Sequence, residues 1–447
     1  MNPKLREKLK NRVPSIERLT LSDAATIYAC CGLFDLCSDT DLMSLSFEGM
    51  SPFLDWLGWR PSVLCNIVKN FIAWVKPEEY QNSCTPGWLS DPCHDAYSVQ
   101  FGTCDFTLHD WGRLRRAGPV RDITYKGVKL CEAQPRYRWD GTPIVDDMEF
   151  DMRMAMEVLL NDLKGLVVDG NHATPGQFDG LANLVKTGYT NSNGVPCSLM
   201  DSTVIDWNGN AMSGGAGITW NGNPIAATYD FIDVLLAIYR RIRQRIKWSP
   251  EMAAQRMQEG DMVLTLPSDF IQCVLDMYTC WSVCPGQAFN EANLNTFEAR
   301  RFRDQLLGGL FGDGQITLDG FPIPLVGYDW GSMVQGPTRF DAYLLTGSIG
   351  AIKVINGEFL DMRTVPPAVA PGAYQVTDGG RVLTWETPDN TCVQRSVEMR
   401  PRLLMWAPWA QARIHDVRCN TPGGIIVPDP CDSSFFPMSS FSAAACP

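Results

Sequence analysis

The stretch Leu163-Lys164-Gly165-Leu166-Val167-Val168-Asp169-Gly170-Asn171, followed by Gly176-Gln177-Phe178-Asp179-Gly180-Leu181, decides how the chain is read. Its first half closes the clearest helix in the sequence. Met148, Met152, Met156, Leu159/Leu160, Leu163 and Leu166/Val167 recur every three or four residues, a spacing that lines one face over about five turns. Asp146 and Asp147 stand where an N-cap and favourable dipole charge belong. Asp169-Gly170-Asn171 ends the helix, and a methionine stripe at this spacing reads as core packing rather than a cofactor box.

Before this helix, residues 1–20 read as a charged arm, and Leu21 to Leu36 as a short apolar helix with Ser22 as N-cap. Residues 53–75 form an amphipathic stretch with Trp56, Trp59 and Trp74. It carries few basic residues, so packing against protein is favoured over lying on a membrane. From Gln81 to Asp140 the chain is turn-rich with short strand-like runs, including a hairpin predicted at Lys126-Gly127. Residues 190–227 read as a Gly/Asn/Ser-rich insertion.

Beyond the insertion, three more helices are expected. One runs from Asp230 to Lys247 with Phe231, Leu235, Ile238, Ile242 and Ile246 on one face. Two others run from Ser268 to Val283 and from Asn293 to Leu307. Strands follow at Gln315–Leu318, Phe321–Val326, and Ile349–Ile355 and Gly357–Arg363 around an Asn356-Gly357 turn. Two long strands are expected over Val393–Val417. Helices and strands do not alternate as βαβ units, so the fold class is α+β.

At 447 residues with 45% apolar and 20% charged content, the chain can bury a large core. Its net charge of −12 disfavours a general nucleic-acid coat. The apolar runs, such as Val234–Ile238, end far short of the ~20 residues a spanning helix needs. The basic start MNPKLREKLKNR lacks an apolar core and does not read as a secretory signal. Sixteen cysteines include no Cys-x-x-Cys. Cys273, Cys280 and Cys284 share a helix face and read as buried packing residues, while Cys84, Cys93, His94 and Cys104 are the weak metal candidates.

Enzyme signatures are missing. There is no His-Glu-x-x-His, no phosphate-binding Gly-Lys-Ser/Thr and no Gly-x-Ser-x-Gly. Asp206-x-Asn208-x-Asn210 opens like a calcium loop but has Ala211 and Gly217 where glycine and glutamate belong. Arg240, Arg241, Arg243 and Arg245 form a basic run read as helix-end charge, with inter-subunit or DNA-facing contact as the functional alternative. Arg113, Arg115, Arg116 and Arg121 form a second cluster, for which acidic partners on other subunits are expected.

The quoted stretch resembles the end of the long spine helix and the "QFDGL" loop of major capsid proteins of tailed double-stranded DNA bacteriophages, the HK-ninety-seven-type coat fold. The residues that carry the resemblance are Asp169, Gly170, Asn171, Gln177, Phe178, Asp179, Gly180 and Leu181. Leu264–Ser268, Asp319–Leu325 leading to Gly327-Tyr328-Asp329, and Asn356–Met362 follow in the family's order, so the resemblance spans roughly residues 81–420.

The resemblance implies an N-terminal arm over 1–80 and the arm's end with the E-loop over 81–146. The peripheral domain's spine helix and insertion would take 147–227 and its long strands 376–420, with an axial domain at 228–375 and a tail at 421–447. It also implies self-assembly as pentamers and hexamers into an icosahedral virion shell, built in the host cytoplasm around double-stranded DNA. DNA contact would be weak and non-specific. Portal, scaffold and cement proteins are the expected partners; no membrane, cofactor or enzymatic activity is expected. An encapsulin-like cellular shell and a metal- or thiol-dependent enzyme using the Cys84–Cys104 cluster are the alternatives.

Overall fold

The structure, a computed structural model, describes residues 51–62, 68–76, 100–108, 111–118, 121–122, 136–137, 143–144, 147–191, 193–248, 261–283, 314–364, 374–377, 380–389 and 392–419. The expected helices at 21–36 and 293–307, the Lys126-Gly127 hairpin and the tail after 420 lie outside them.

Along the chain, helix α1 (Pro52–Leu57) leads into β1 (Trp59–Ser62), β2 (Val68–Lys76), β3 (Gln100–Leu108) and β4 (Leu114–Ala117). Short strands β5 (Arg121–Asp122), β6 (Arg136–Tyr137) and β7 (Pro143–Ile144) precede the long α2 (Asp147–Asp169) and the one-turn α3 (Leu181–Leu184). Next come β8 (Thr203–Asp206), β9 (Thr219–Trp220), β10 (Asn223–Pro224), α4 (Phe231–Trp248), β11 (Met262–Leu266) and α5 (Ser268–Val283). Strands then dominate: β12 (Gln315–Leu318), β13 (Phe321–Gly327), β14 (Val334–Gly336), β15 (Arg339–Thr346), β16 (Ser348–Ile349), β17 (Ile352–Lys353) and β18 (Ile355–Leu360). The last are β19 (Tyr374–Thr377), β20 (Val382–Asp389), β21 (Cys392–Met399), β22 (Pro401–Met405) and β23 (Ala412–Arg418). The mixture is α+β, as the element pattern predicts.

The described residues fall into two compact units. The first draws on 1–201, 246–261 and 346–409. Its largest sheet has the order β19-β20-β21-β4, and α2 packs across β4 and β21. The predicted stripe is the buried one: Met156, Leu159, Leu160, Leu163 and Val167 are all at most 4% exposed. A smaller sheet, β1-β18-β22, adds β1 as a parallel edge strand paired to residues nearly three hundred positions later, Trp59 facing Gly357.

That pairing corrects the expected turn at Asn356-Gly357, which is the interior of β18. Glycine stands there because a Cβ would collide with the Trp59 indole, which lies over Phe359 at 4.8 Å between ring centroids. The Trp-rich 53–75 stretch is likewise divided among α1, β1 and β2. Ser51 caps α1 by accepting from the Phe53 N–H, Pro52 pre-sets its first turn, and Phe53, Leu54 and Leu57 are buried. Strands β2 and β3 pair through nine residues each as a two-stranded ribbon.

The second unit draws on 202–245, 262–345 and 410–447 around one sheet, β10-β9-β8-β23-β15-β11-β13-β12. Phe340 on β15 packs against Phe231 of α4 and Phe270 of α5, at 6.3 and 4.6 Å between ring centroids. Both helices therefore meet this sheet at one aromatic contact. The α4 face is as predicted, with Phe231, Leu235, Ile238 and Ile242 fully buried. Asp319 and Gly320, both at positive φ, turn the β12–β13 hairpin at the expected place.

Two expectations change here. The 190–227 segment supplies β8, which pairs in parallel with β23, and Trp207 is fully buried with its Nε1 donating to the Ala211 carbonyl at 2.7 Å. The segment is therefore tied into the second unit's sheet through the short strands β8, β9 and β10, with turns between them. Residues 393–417 form three strands, β21, β22 and β23, in three different sheets, because each pairs with partners that are remote in sequence. Phe340→Ala should destabilise the second unit by about 3–5 kcal/mol through the cavity it opens. A fall in the denaturant midpoint of that unit measures it.

Candidate interaction surfaces

The eight residues that carry the family resemblance are brought together in one loop at the end of α2. Gly180 N–H donates to the Gly170 carbonyl at 2.9 Å, so the two backbones lie side by side. A Cβ on Gly170 would run into the carbonyl oxygens of Phe178 and Leu166. One on Gly180 would stand 2.5 Å from the Leu166 oxygen and 2.6 Å from that of Val168. Only glycine fits at either position. Around this contact the polar groups close on one another. Asn171 N–H donates to Gln177 Oε1 at 3.2 Å, Asn183 Nδ2 donates to the Gly170 carbonyl, and Asp179 Oδ1 accepts from the His172 N–H at 3.0 Å. Phe178 and Leu181 are buried, while Asp169 and Asn171 face solvent. Arg113 N–H donates to the Gly176 carbonyl at 2.7 Å, which ties the loop to the start of β4. The motif is thus a structural hinge-pin for α2.

Two buried glutamates sit in the same unit. Glu398 on β21 is fully buried and receives Arg113 through two bonds of 3.0 Å and Arg400 at 2.9 Å. Glu358 on β18 receives Arg402 at 2.9 Å and Arg60 at 3.3 Å, and the Arg402 guanidinium lies 3.8 Å over the Trp111 ring. Arg116 pairs with Asp162 on α2, and Arg115 lies 4.7 Å over Trp385. Arg113 and Arg116, for which partners on other subunits are expected from sequence, therefore find carboxylates in their own chain. Buried charges need such partners close by.

On α4 the basic run is dispersed. Arg240 donates to both oxygens of Asp319 at 2.8 Å, Arg241 lies 5.5 Å over Trp220, and Arg243 lies 5.7 Å over Tyr239. Arg243 and Lys247 are solvent-exposed and Arg245 is half-buried. Cys84, Cys93 and His94 lie outside the described residues, and Cys104 is described only as part of strand β3. Among the described residues no group of His, Cys, Asp or Glu could hold a metal ion. The Asp206–Asn210 oxygens and amides serve a turn instead: Asp206 Oδ1 accepts from the Asn208 N–H, and Asn210 Nδ2 donates to the Trp207 and Ala216 carbonyls. No helix among the described residues is long and apolar enough to cross a membrane.

Sequence reading missed a buried carboxylate of the second unit that gathers several partners. Asp341 on β15 is fully buried. It accepts from Arg413 at 2.8 Å, from His415 at 2.9 Å, from the Asp416 N–H at 2.9 Å and from Gln335 at 3.2 Å. Burial by itself pushes Asp341 upward, but the His415 hydrogen bond and the Arg413 charge outweigh it and hold the carboxyl below its ordinary value. The same hydrogen bond raises His415 above its ordinary value against the opposing effects of burial and Arg413. Only the fold brings Asp341 opposite residues more than seventy positions later, so no local motif marks it.

The remaining exposed apolar groups include Met154 and Val158, one turn apart on the open face of α2. They point away from the stripe that packs on the sheet.

No family model and no curated protein sequence matches the chain. Among solved structures it is similar to the capsid of cyanophage A-1(L), at TM-score 0.48 and 13% identity, covering 82% of this chain and 93% of that one. It is also similar to the holo-SrpI encapsulin complex of Synechococcus elongatus, at TM-score 0.43 and 13% identity over 88% and 95% of the two chains. A third similar structure is the capsid of the empty GTA particle, at TM-score 0.40 and 11% identity over 83% and 97%.

Gly180→Ala should cost more than about 2 kcal/mol, since the added methyl displaces backbone rather than a side chain, whereas Asp169→Ala, at an exposed position, should stay within about 1 kcal/mol. Urea midpoints of the two variants compare them. His415 also predicts a pH dependence. Because folding raises its pKa, its contribution is complete below the ordinary value of 6.5 and is lost as pH rises through the folded value. Thermal scans of the second unit should therefore show its midpoint falling as pH rises past 6.5, and His415→Gln should flatten that slope.

Proposed function

We propose that the chain is a structural coat protein. Many copies assemble as pentamers and hexamers into a closed icosahedral shell around double-stranded DNA, and the chain does no chemistry of its own. The observation that carries this reading is the glycine-locked loop at the end of α2. The eight residues of the coat-protein motif stand in it as one hydrogen-bonded unit, and the helix they terminate rests on a β-sheet as a spine helix would. In this reading the first unit is the peripheral domain, the second the axial domain, and β2–β3 the reaching loop, beginning at Val68 rather than at 81.

The β2–β3 ribbon supports it. It pairs with no other strand among the described residues, and an isolated two-stranded ribbon is marginal in water. A neighbouring copy is the natural cover for it, and rings of copies arise when such head-to-tail contacts close. Met154 and Val158 on the open face of α2 belong to the same contact system. The net charge of −12 keeps the shell from adhering to its contents, so DNA contact is weak; of the basic run at Arg240, Arg241, Arg243 and Arg245, Arg240 and Arg243 are exposed and could make it. Portal, scaffold and cement proteins complete the expected set of partners, the shell being built in the host cytoplasm and ending in the virion.

Negative-stain electron microscopy of the full chain, co-expressed with its neighbouring assembly proteins, tests the reading. Closed shells or rings of five and six are expected, with nuclease-protected double-stranded DNA in the shells. Shells that never hold DNA would favour an encapsulin-like container. A persistent monomer with stoichiometric metal would overturn the coat-protein reading. The double variant Met154→Asp, Val158→Asp should lower the yield of large assemblies at least ~10-fold while leaving the thermal midpoint within about 2 °C, as expected of exposed positions.

A further inference from the structure

We propose that Cys273 and Cys419 form a redox clamp: their disulfide locks β23, the strand that joins the two halves of the second unit's sheet, onto helix α5, and the dithiol form lets that strand open. Independently of any role in a shell, the two cysteines stand where such a bond joins separate elements. Cys273 lies in the second turn of α5 and Cys419 directly follows β23. Their Cα atoms are 6.4 Å apart with the sulfurs bonded, and they are only 2% and 7% exposed. That separation falls within the range a disulfide spans.

The strand being locked is the one on which this sheet depends. β23 pairs in parallel with β8 and antiparallel with β15, so its departure would separate β10-β9-β8 from β15-β11-β13-β12. It is also the last described strand, and its far end is irregular. The register with β15 shifts between Phe340 and Ala342, and Asp416 sits at φ 57, a conformation unfavourable for a residue with a Cβ. Beyond that irregularity, Arg418 N–H donates to the Asn210 carbonyl and Cys419 N–H to that of Thr338. Although β23 is hydrogen-bonded on both sides, this irregular end is the part of the strand that opens most readily.

The other half of the clamp is a fixed post. Ser268 at the start of α5 donates through both its N–H and its hydroxyl to Asp329, Phe270 stacks on Phe340, and Tyr278 donates to the Thr317 carbonyl. Joining this post to β23 closes a loop between positions 146 apart in sequence, which restricts the open state strongly. Cys197 is also disulfide-bonded, so oxidation is not confined to one pair.

Closure needs an oxidant, for which a low-molecular-weight disulfide such as oxidised glutathione suffices. One cysteine thiolate attacks it, forming a mixed disulfide and releasing one small thiolate. The second cysteine thiolate then attacks the protein sulfur of that mixed disulfide and releases the other. Two electrons pass from the protein to the small disulfide, and the two protons lost by the cysteines end on the two released thiols. Because both sulfurs are buried, closure requires the end of β23 to lift and settle again, and reduction requires a rarer local opening of the bonded form. The dithiol form is the one that opens readily.

The test is hydrogen exchange by mass spectrometry on the full chain, equilibrated in oxidised or reduced glutathione, with peptide mapping of the alkylated, non-reduced protein. A Cys273–Cys419 linked peptide is expected in the oxidised sample. Reduction should speed exchange of the 412–418 amides at least ~10-fold and lower the thermal midpoint of this unit by roughly 5–10 °C, with β20 and β21 unchanged. Cys273→Ser should exchange fast at 412–418 in both buffers, which separates this bond from that of Cys197. Complete alkylation of both cysteines in the oxidised chain overturns the proposal. So does a linked peptide whose reduction leaves 412–418 unchanged, or a reductant effect at 412–418 that persists in Cys273→Ser.

Discussion

Backbone against backbone at Gly170 and Gly180 is the contact from which the first unit is organised. A helix that ends beside the loop leading away from it normally needs a side chain to fill the angle, but here the carbonyls of Leu166, Val168 and Phe178 occupy the space where Cβ atoms would be. The loop can therefore turn back tightly enough to bury Phe178 and to offer the Gly176 carbonyl to Arg113 at the head of β4. Helix, loop and sheet then share one reference point. The packing of α2 on β4 and β21 follows from that point as much as from the apolar stripe.

Buried carboxylates set the strand pairings in both units. Glu358, Glu398 and Asp341 are each essentially without solvent contact, and each is matched by arginines from elsewhere in the chain. Such pairs contribute little net stability, because removing the charges from water costs about as much as their attraction returns. Mispairing is another matter: a shifted register would leave an unpartnered charge in the interior, which costs several kcal/mol. Glu358 opposite Arg402 in the β18–β22 ladder is of this kind, and the Arg402 stack on Trp111 adds a geometric condition. We regard these pairs as register keys.

In the proposed coat role the chain must hold its own shape while offering surfaces that other copies complete. The two compact units would supply the former. The β2–β3 ribbon, which pairs with no other strand among the described residues, and the exposed Met154 and Val158 on α2 would supply the latter. In that proposed role, a net charge of −12 with many of the described arginines paired internally or stacked on aromatic rings would suit a container that must not bind its contents tightly.

Local order was legible from residue spacing alone. The stripe from Met156 to Val167, the face of α4 from Phe231 to Ile242, the limits of α5 and the Asp319-Gly320 hairpin all follow from interactions between residues a few positions apart. Periodicity and turn chemistry report on those directly. The motif from Asp169 to Leu181 was legible as a resemblance, although its reason, two glycines with no room for a Cβ, needed the neighbouring carbonyls in place. Asn356-Gly357 shows the limit: the same dipeptide turns a hairpin in isolation, yet here it sits in mid-strand to admit Trp59. Only the tertiary structure decided that 393–417 divides among three sheets, that Asp341 gathers Arg413 and His415, and that Cys273 meets Cys419. Each of these joins residues dozens to hundreds of positions apart, and such pairings are chosen by burial and charge matching in the folded chain, which no local window of sequence contains.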